Sequence, residues 1–176
     1  QPPAGLIAMP GARGATIYLD YAASTPVADE VVAAMTRALQ SPDLAANPAA
    51  RTHAPGRHAA AVVEQCRAAV ARYINADPDE VLFTSGATEA DNLAIIGAAR
   101  FLKARGRHIV TALTEHKAVI ESCRQLAREG WRVTWLTPGA DGLIAPAAVA
   151  AALEAYTVLV SLMHANNETG VVTDVA

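Results

Sequence analysis

From Glu80 onward the chain breaks into short apolar runs, each followed by a helical pattern, and this alternation restricts the fold more than any other feature of its 176 residues. The runs are Val81 to Thr84, His108 to Leu113, Val133 to Leu136 and Val158 to Met163. Helical patterns lie between them, ending near Arg105 and Glu129 and then spanning Pro146 to Tyr156, with a turn at Asp141-Gly142. Strands covered by helices on both faces read as short continuous apolar runs. Their repetition with helices therefore predicts an α/β fold with a mainly parallel sheet flanked by helices. In such sheets ligands bind beyond the carboxyl ends of the strands, so the residues directly after each run are the places for chemistry.

The amino-terminal part is organised differently. Residues 1–16 contain Pro2, Pro3, Pro10, Gly5, Gly11 and Gly14 and read as a flexible leader, with Met9 a candidate natural start. The leader lacks the basic start and long apolar middle of a secretory signal. Ile17 to Asp20 reads as a short extended piece, and a helix then starts at Pro26 and ends near Ser41-Pro42. Val27, Val31, Met35 and Leu39 give that helix one apolar stripe. Asp43 to Gly56 is a loop. A second helix, from about Arg57 to Ile74, aligns Val62, Cys66, Val70 and Tyr73 on one face, which predicts packing on a core with Cys66 inside it. Cys123 lies in a similar pattern, and core packing is the expectation for both thiols.

Composition narrows the function classes. With 52% hydrophobic and 18% charged residues the chain can bury a core. A net charge of −3 without a basic run leaves little to neutralise nucleic-acid phosphates, so neither nucleic acid nor a membrane surface is an expected partner. No apolar stretch is long enough to span a bilayer. The two cysteines show no C-x-x-C spacing, which argues against a metal site and fits reduced thiols in the cytoplasm.

Three segments at predicted strand ends could carry chemistry. In Thr84-Ser85-Gly86-Ala87-Thr88-Glu89 a strand ends, a glycine permits a tight turn and a helix begins. The first-turn amides of a helix have no internal acceptor and sit at the positive end of the dipole, so a phosphate cup is one reading. A capping box with Ser85 or Thr88 as N-cap is the other. No G-x-G-x-x-G or G-K-[ST] supports a nucleotide site. Thr114-Glu115-His116-Lys117 places an imidazole after the next strand, where it could stack on a flat ring and exchange protons, or simply cap a helix. His164-Ala165-Asn166-Asn167-Glu168-Thr169-Gly170 follows the last apolar run. Its paired amides could orient a ligand or tie down a loop through Asx-type bonds.

In order and separation these segments resemble the cysteine desulfurases, members of the class V aminotransferase group with the type I pyridoxal-phosphate (PLP) fold. Tyr18-Leu19-Asp20-Tyr21-Ala22-Ala23-Ser24-Thr25-Pro26 is similar to that family's opening segment, and Asn47-Pro48 with Arg51 and His53 to its next loop. Thr84 to Asn92 resembles its phosphate-binding turn, and Thr114 to Val119 and Met163 to Val172 continue the likeness. The resemblance implies that Ala87 and Thr88 bind the PLP phosphate, that His116 stacks on the pyridine ring and assists proton transfer, and that Asn167 lies near the ring hydroxyl and the substrate carboxylate. It implies the first part of a type I large domain, incomplete at its carboxyl end, with residues 17–46 as an arm and helix and 47–176 as the start of the PLP-binding domain.

The implied activity converts L-cysteine to L-alanine and an enzyme persulfide, for iron–sulfur cluster or thio-cofactor assembly. Its implied setting is a homodimer serving a sulfur acceptor or scaffold protein. The Schiff-base lysine and the sulfur-accepting cysteine are expected in the remainder of the enzyme, so this chain in isolation is expected to be inactive. Lys103 and Lys117 are expected bystanders. Other class V enzymes, such as a selenocysteine lyase or an aminotransferase, are the nearest rivals; a non-catalytic structural or interaction module is the rival of another kind.

Overall fold

The computed structural model describes residue 18 and residues 20–175; the expected leader over residues 1–16, with Ile17 and Leu19 of the expected extended piece, lies outside them. Helix α1 spans Asp29–Gln40 and α2 spans Ala54–Ile74. One 3-10 turn at Pro78–Glu80 precedes α3, Ala87–Leu102. Strand and helix then alternate as β1 His108–Ala112, α4 Lys117–Arg128, β2 Arg132–Leu136, α5 Pro146–Ala152 and β3 Thr157–Ser161.

The three strands form a parallel sheet in the order β2-β1-β3, as the apolar runs predict. All five residues of β1 are buried, because both of its faces are covered. On one face Ile109 packs with Ile95 and Ala99 of α3, Val119, Cys123 and Leu126 of α4, and Trp131. On the other, Val110 and Ala112 pack with Leu136 and Ile144, and Val149 and Ala152 of α5 close over them. The period-two alternation of side chains thus sorts one continuous apolar run into two cores. The expected turn before α5 is present, with Gly142 at φ 80° and its N–H donating to the Gly139 carbonyl at 2.9 Å. Among the described residues, no helix is long and apolar enough to cross a membrane.

Three expectations need correction. The run Val81 to Thr84 is not a strand: only Val81 is buried, and Leu82 and Phe83 are 69% and 52% exposed. An apolar run becomes a strand only where a neighbour completes its ladder, and none of the three described strands reaches this one. Helix α2 does not bury the face that holds Cys66; Cys66, Val70 and Tyr73 are exposed. Its covered line is instead Ala59, Arg67 and Ala71, where the Arg67 guanidinium bonds the Val81 carbonyl and lies 4.9 Å over the Phe83 ring. Small alanines let the arginine stem lie flat, so the face that packs is not the most apolar one. Finally, α5 stops at Ala152, four residues early. The Glu154 N–H turns to the Thr157 hydroxyl at 2.7 Å, and the Glu154 carboxylate pairs with Arg132 at 2.6 Å. The helix expected from Pro26 begins at Asp29, which leaves Val27 ahead of it; Val31, Met35 and Leu39 lie within α1, and all four residues are exposed.

The amino edge of the sheet is locked by one imidazole. His108 is fully buried, with Nδ1 2.7 Å from the Thr157 hydroxyl of β3 and Nε2 2.8 Å from the Thr134 hydroxyl of β2, so its ring ties all three strands together. The β1–β3 register shifts directly after the His108–Thr157 pair, which fixes where that irregularity falls. Burial holds the imidazole below its ordinary value, with Glu154 raising it and Arg132 lowering it. A depressed folded value means that its contribution to stability is complete above the unfolded value and is lost as pH falls through the folded one. His108→Ala should lower the unfolding free energy by about 2 kcal/mol near neutral pH, because a cavity forms and the Thr134 hydroxyl loses its partner. Denaturant titrations should also show the wild type losing more stability than the variant between about pH 7 and about pH 5. Parallel pH curves for the two proteins would rule out the imidazole as the titrating group.

Candidate active site

Helix α3 opens with Gly86 as N-cap and no side-chain cap bond. Its ladder begins with the Ala90 N–H donating to the Gly86 carbonyl at 3.1 Å, so the N–H groups of Ala87 and Thr88 precede any internal acceptor. Of the two readings of this segment, capping is realised only in part. The Glu89 carboxylate does reach back, accepting the Ser85 N–H and the Ser85 hydroxyl at 2.6 Å each, and these bonds hold its carboxyl below the usual range. Neither bond occupies the amides of residues 87 and 88. Ala87 and Thr88 are exposed, and a Cβ placed on Gly86 would meet nothing within 4 Å, so an anion has both donors and room. Asn92 steadies the turn by donating to the Thr88 carbonyl at 2.7 Å.

At the carboxyl end of β1 the chain makes a tight exit into α4. The Leu113 N–H still bonds the Leu136 carbonyl at 2.9 Å, after which Glu115 turns inward and His116 outward. His116 is the N-cap of α4; its Nδ1 accepts the Ala118 N–H at 3.2 Å, which leaves Nε2 as the nitrogen facing away from the helix. The side chain is exposed, so capping takes one nitrogen of the ring and leaves the other open. Glu115 is buried, and its Oε1 accepts the Met163 N–H at 2.5 Å. Burial pushes its carboxyl up; the Met163 bond opposes that shift, and the negative charge of Asp91 in α3 adds to it.

The two asparagines after β3 divide the possible tasks. Asn166 donates from Nδ2 to the Thr114 carbonyl at 3.0 Å, and its Oδ1 accepts the N–H groups of Glu168 and Thr169 at 3.0 and 2.9 Å and the Thr169 hydroxyl at 3.1 Å. It is the Asx-type tie of the loop. Asn167, at the tip of that turn, is exposed. A short antiparallel bridge, Ala165 with Val172, closes the loop, and His164 Nδ1 sits 2.9 Å from the Thr173 carbonyl.

The fold therefore brings His116 and Asn167 to one edge of the sheet through direct links between their neighbours. Ala87 and Thr88 open the helix whose Asp91 acts on Glu115, and α3 packs beside α4 in the core of that face. Lys103 lies at the opposite end of α3, and Lys117 is the first residue of α4. Glu115 was not singled out in the sequence, where its signal was only position, one residue before a candidate ligand group; Asn166 was one of two amides read there as able to tie down the loop through Asx-type bonds, and it takes that role. Among the described residues, no group of three or more His, Cys, Asp or Glu side chains could hold a metal ion.

Comparison with known proteins bears on the family and the fold. The aminotransferase class-V family model matches residues 17–176. Cysteine desulfurase IscS of Pseudomonas aeruginosa (strain UCBPP-PA14) is 54% identical over 160 residues, covering 91% of this chain and 40% of the relative. The IscS of Azotobacter vinelandii (strain DJ / ATCC BAA-1303) gives the same identity and coverage. Among solved structures, SspA in complex with cysteine superposes with a TM-score of 0.82 at 42% identity, over 90% of this chain and 45% of that one. DndA from Streptomyces lividans does so with a TM-score of 0.74 at 42% identity, over 91% and 44%. The chain thus spans about two fifths of the length of the curated relatives it matches.

The two thiols, both expected in the core, have opposite environments. Cys123 is fully buried among Ile109, Val119 and Leu126, and burial, with the charge of Glu115 adding to it, pushes its thiol up to about 11. Such a thiol is a packing group and not a nucleophile. Cys66 is exposed on α2. A thiol-specific alkylating agent near neutral pH should therefore label Cys66 in the folded protein and reach Cys123 only after denaturant is added. Peptide mapping by mass spectrometry reads this directly, and early labelling of Cys123 would contradict the packing described.

Proposed function

The chain belongs to the aminotransferase class-V family, and on that premise we propose that it is the amino-terminal part of a PLP-dependent cysteine desulfurase. The enzyme converts L-cysteine to L-alanine and passes the sulfur to a cysteine of its own as a persulfide, which supplies iron–sulfur cluster or thio-cofactor assembly. The observation that carries this reading is the start of α3, where Gly86 makes no side-chain cap bond and the Ala87 and Thr88 amides are left free, in the helix whose Asp91 acts on Glu115, the residue before an outward-facing imidazole.

The residues fit the cofactor in kind. The amides of Ala87 and Thr88, with the Thr88 hydroxyl, bind the phosphate at the positive end of the helix dipole. PLP supplies an electron sink for breaking a bond at the α-carbon of an amino acid. His116 covers the flat ring. Because its Nδ1 accepts the Ala118 N–H, Nε2 is the atom that holds or moves a proton. The Asn167 amide donates toward the ring hydroxyl and the substrate carboxylate.

Lys103 stands at the far end of α3, roughly 24 Å along the helix at 1.5 Å per residue, so it is not the lysine that holds the cofactor. Lys117 is the first residue of α4, directly after the His116 N-cap, and its side chain is exposed. In this reading residues 17–46 are the arm and helix, 47–176 begin the PLP-binding domain, and the enzyme works in the cytoplasm as a homodimer with a scaffold or acceptor protein as partner.

The test is product release by the whole enzyme with PLP. Alanine and sulfide should appear from L-cysteine, and His116→Ala should lower the rate about a hundredfold or more. Preferred release of selenide from selenocysteine would assign the chain to a lyase, and no turnover of either substrate would leave the non-catalytic module. Borohydride reduction followed by peptide mapping should find neither Lys103 nor Lys117 carrying the cofactor; a label on either one would displace the proposed assignment.

A further inference from the structure

We propose that Glu115 and Asn166 are positioning residues, two side-chain cross-links that fix the loop carrying Asn167 to the strand end carrying His116. The inference rests on the site reading above and adds to it the part that sets its dimensions. The β1–β3 ladder ends at the pair Thr111 and Ser161. Beyond that pair the two backbones have no regular bonds to hold them together, yet both candidate ligand groups lie there. The Glu115 carboxyl replaces the missing ladder by taking the Met163 N–H at 2.5 Å, and Asn166 spans back to the Thr114 carbonyl at 3.0 Å.

The arrangement is paired. Each cross-linking residue directly precedes a ligand-facing one, Glu115 before His116 and Asn166 before Asn167, so each link fixes its neighbour at one peptide's distance. Asn166 is fully committed inward. Its backbone N–H donates to the Val171 carbonyl at 2.8 Å and its carbonyl accepts the Gly170 N–H at 2.9 Å, while its side-chain oxygen gathers the turn that presents Asn167. A buried carboxyl is a costly choice for packing alone, since an apolar side chain of like volume avoids the desolvation. What a glutamate offers here is an acceptor on an arm long enough to reach the next strand's amide. Positioning of this kind matters because a displacement of about 1 Å by a residue outside the chemistry can cost on the order of a hundredfold in rate.

The experiment uses the whole enzyme and four variants: Glu115→Ala, Glu115→Gln, Asn166→Ala and Asn167→Ala. PLP affinity is read by absorbance titration, KM and kcat are measured with L-cysteine, and hydrogen exchange is followed over residues 163–173. Glu115→Ala and Asn166→Ala should each speed exchange in that segment and weaken PLP binding or raise KM about tenfold, in the same direction as Asn167→Ala. Glu115→Gln should restore both readouts, because its amide oxygen still accepts the Met163 N–H.

If Asn167→Ala alters PLP binding or KM while both cross-link variants match the wild type, the positioning role is overturned and the site reading stands. If Asn167→Ala alters nothing, the site reading itself fails. Failure of Glu115→Gln to rescue would remove Glu115 from the proposal. Should Glu115→Ala not fold, Asn166→Ala, which cuts the second link at a half-exposed position, carries the test alone.

Discussion

Strand β1 has no exposed residue, and the placing of the other elements follows from that burial. Its two faces accept different helices, so its alternating side chains decide that α3 and α4 lie together while α5 lies opposite. A strand buried on both faces cannot rely on water to satisfy stray polar groups, and its two ends are where polar chemistry is placed. His108 locks the amino end and Glu115 the carboxyl end. In each case a buried titratable side chain completes what the backbone ladder leaves open.

The two ends of the sheet differ in the direction their polar groups face. At the amino edge His108, Thr134, Thr157, Glu154, Arg132 and Tyr156 bond to one another, and a Cβ on Gly106 would lie 2.0 Å from the Tyr156 carbonyl oxygen, so the chain is pressed close there. At the carboxyl edge the side chains of His116 and Asn167 are exposed, and Glu115 and Asn166 link the segments that carry them. That contrast is the expected one for parallel α/β sheets, where strand ends and helix starts converge at a single edge and the opposite edge is free to serve stability.

The parts of the fold that were legible in the sequence are those whose residues answer to local rules. The runs beginning at His108, Val133 and Val158 are strands within one or two residues, because each is flanked by a helix that covers it and paired by a neighbour. Val81 to Thr84 has the same composition and lacks the pairing. Cys123 and Cys66 make the same point for helices. Both sit in apolar spacings, but α4 has a sheet beneath it, whereas α2 lays its alanine and arginine face on the segment after the 3-10 turn. Periodicity shows that a helix has a face. It does not show which face finds a partner.

Sequence alone determined the α/β class, the parallel sheet, the turn at Gly142, the family likeness and the two polar segments after β1 and β3, because chain alternation, turn chemistry and motif order are all encoded locally. Tertiary structure decided the rest: that Gly86 and not a hydroxyl caps α3, that His116 caps with one nitrogen and exposes the other, and that Asn166 is consumed by the loop while Asn167 is left outward. Adjacent identical residues carry the same propensity. Only the position of the turn after β1, whose Thr114 carbonyl accepts from Asn166, separates one asparagine from the other.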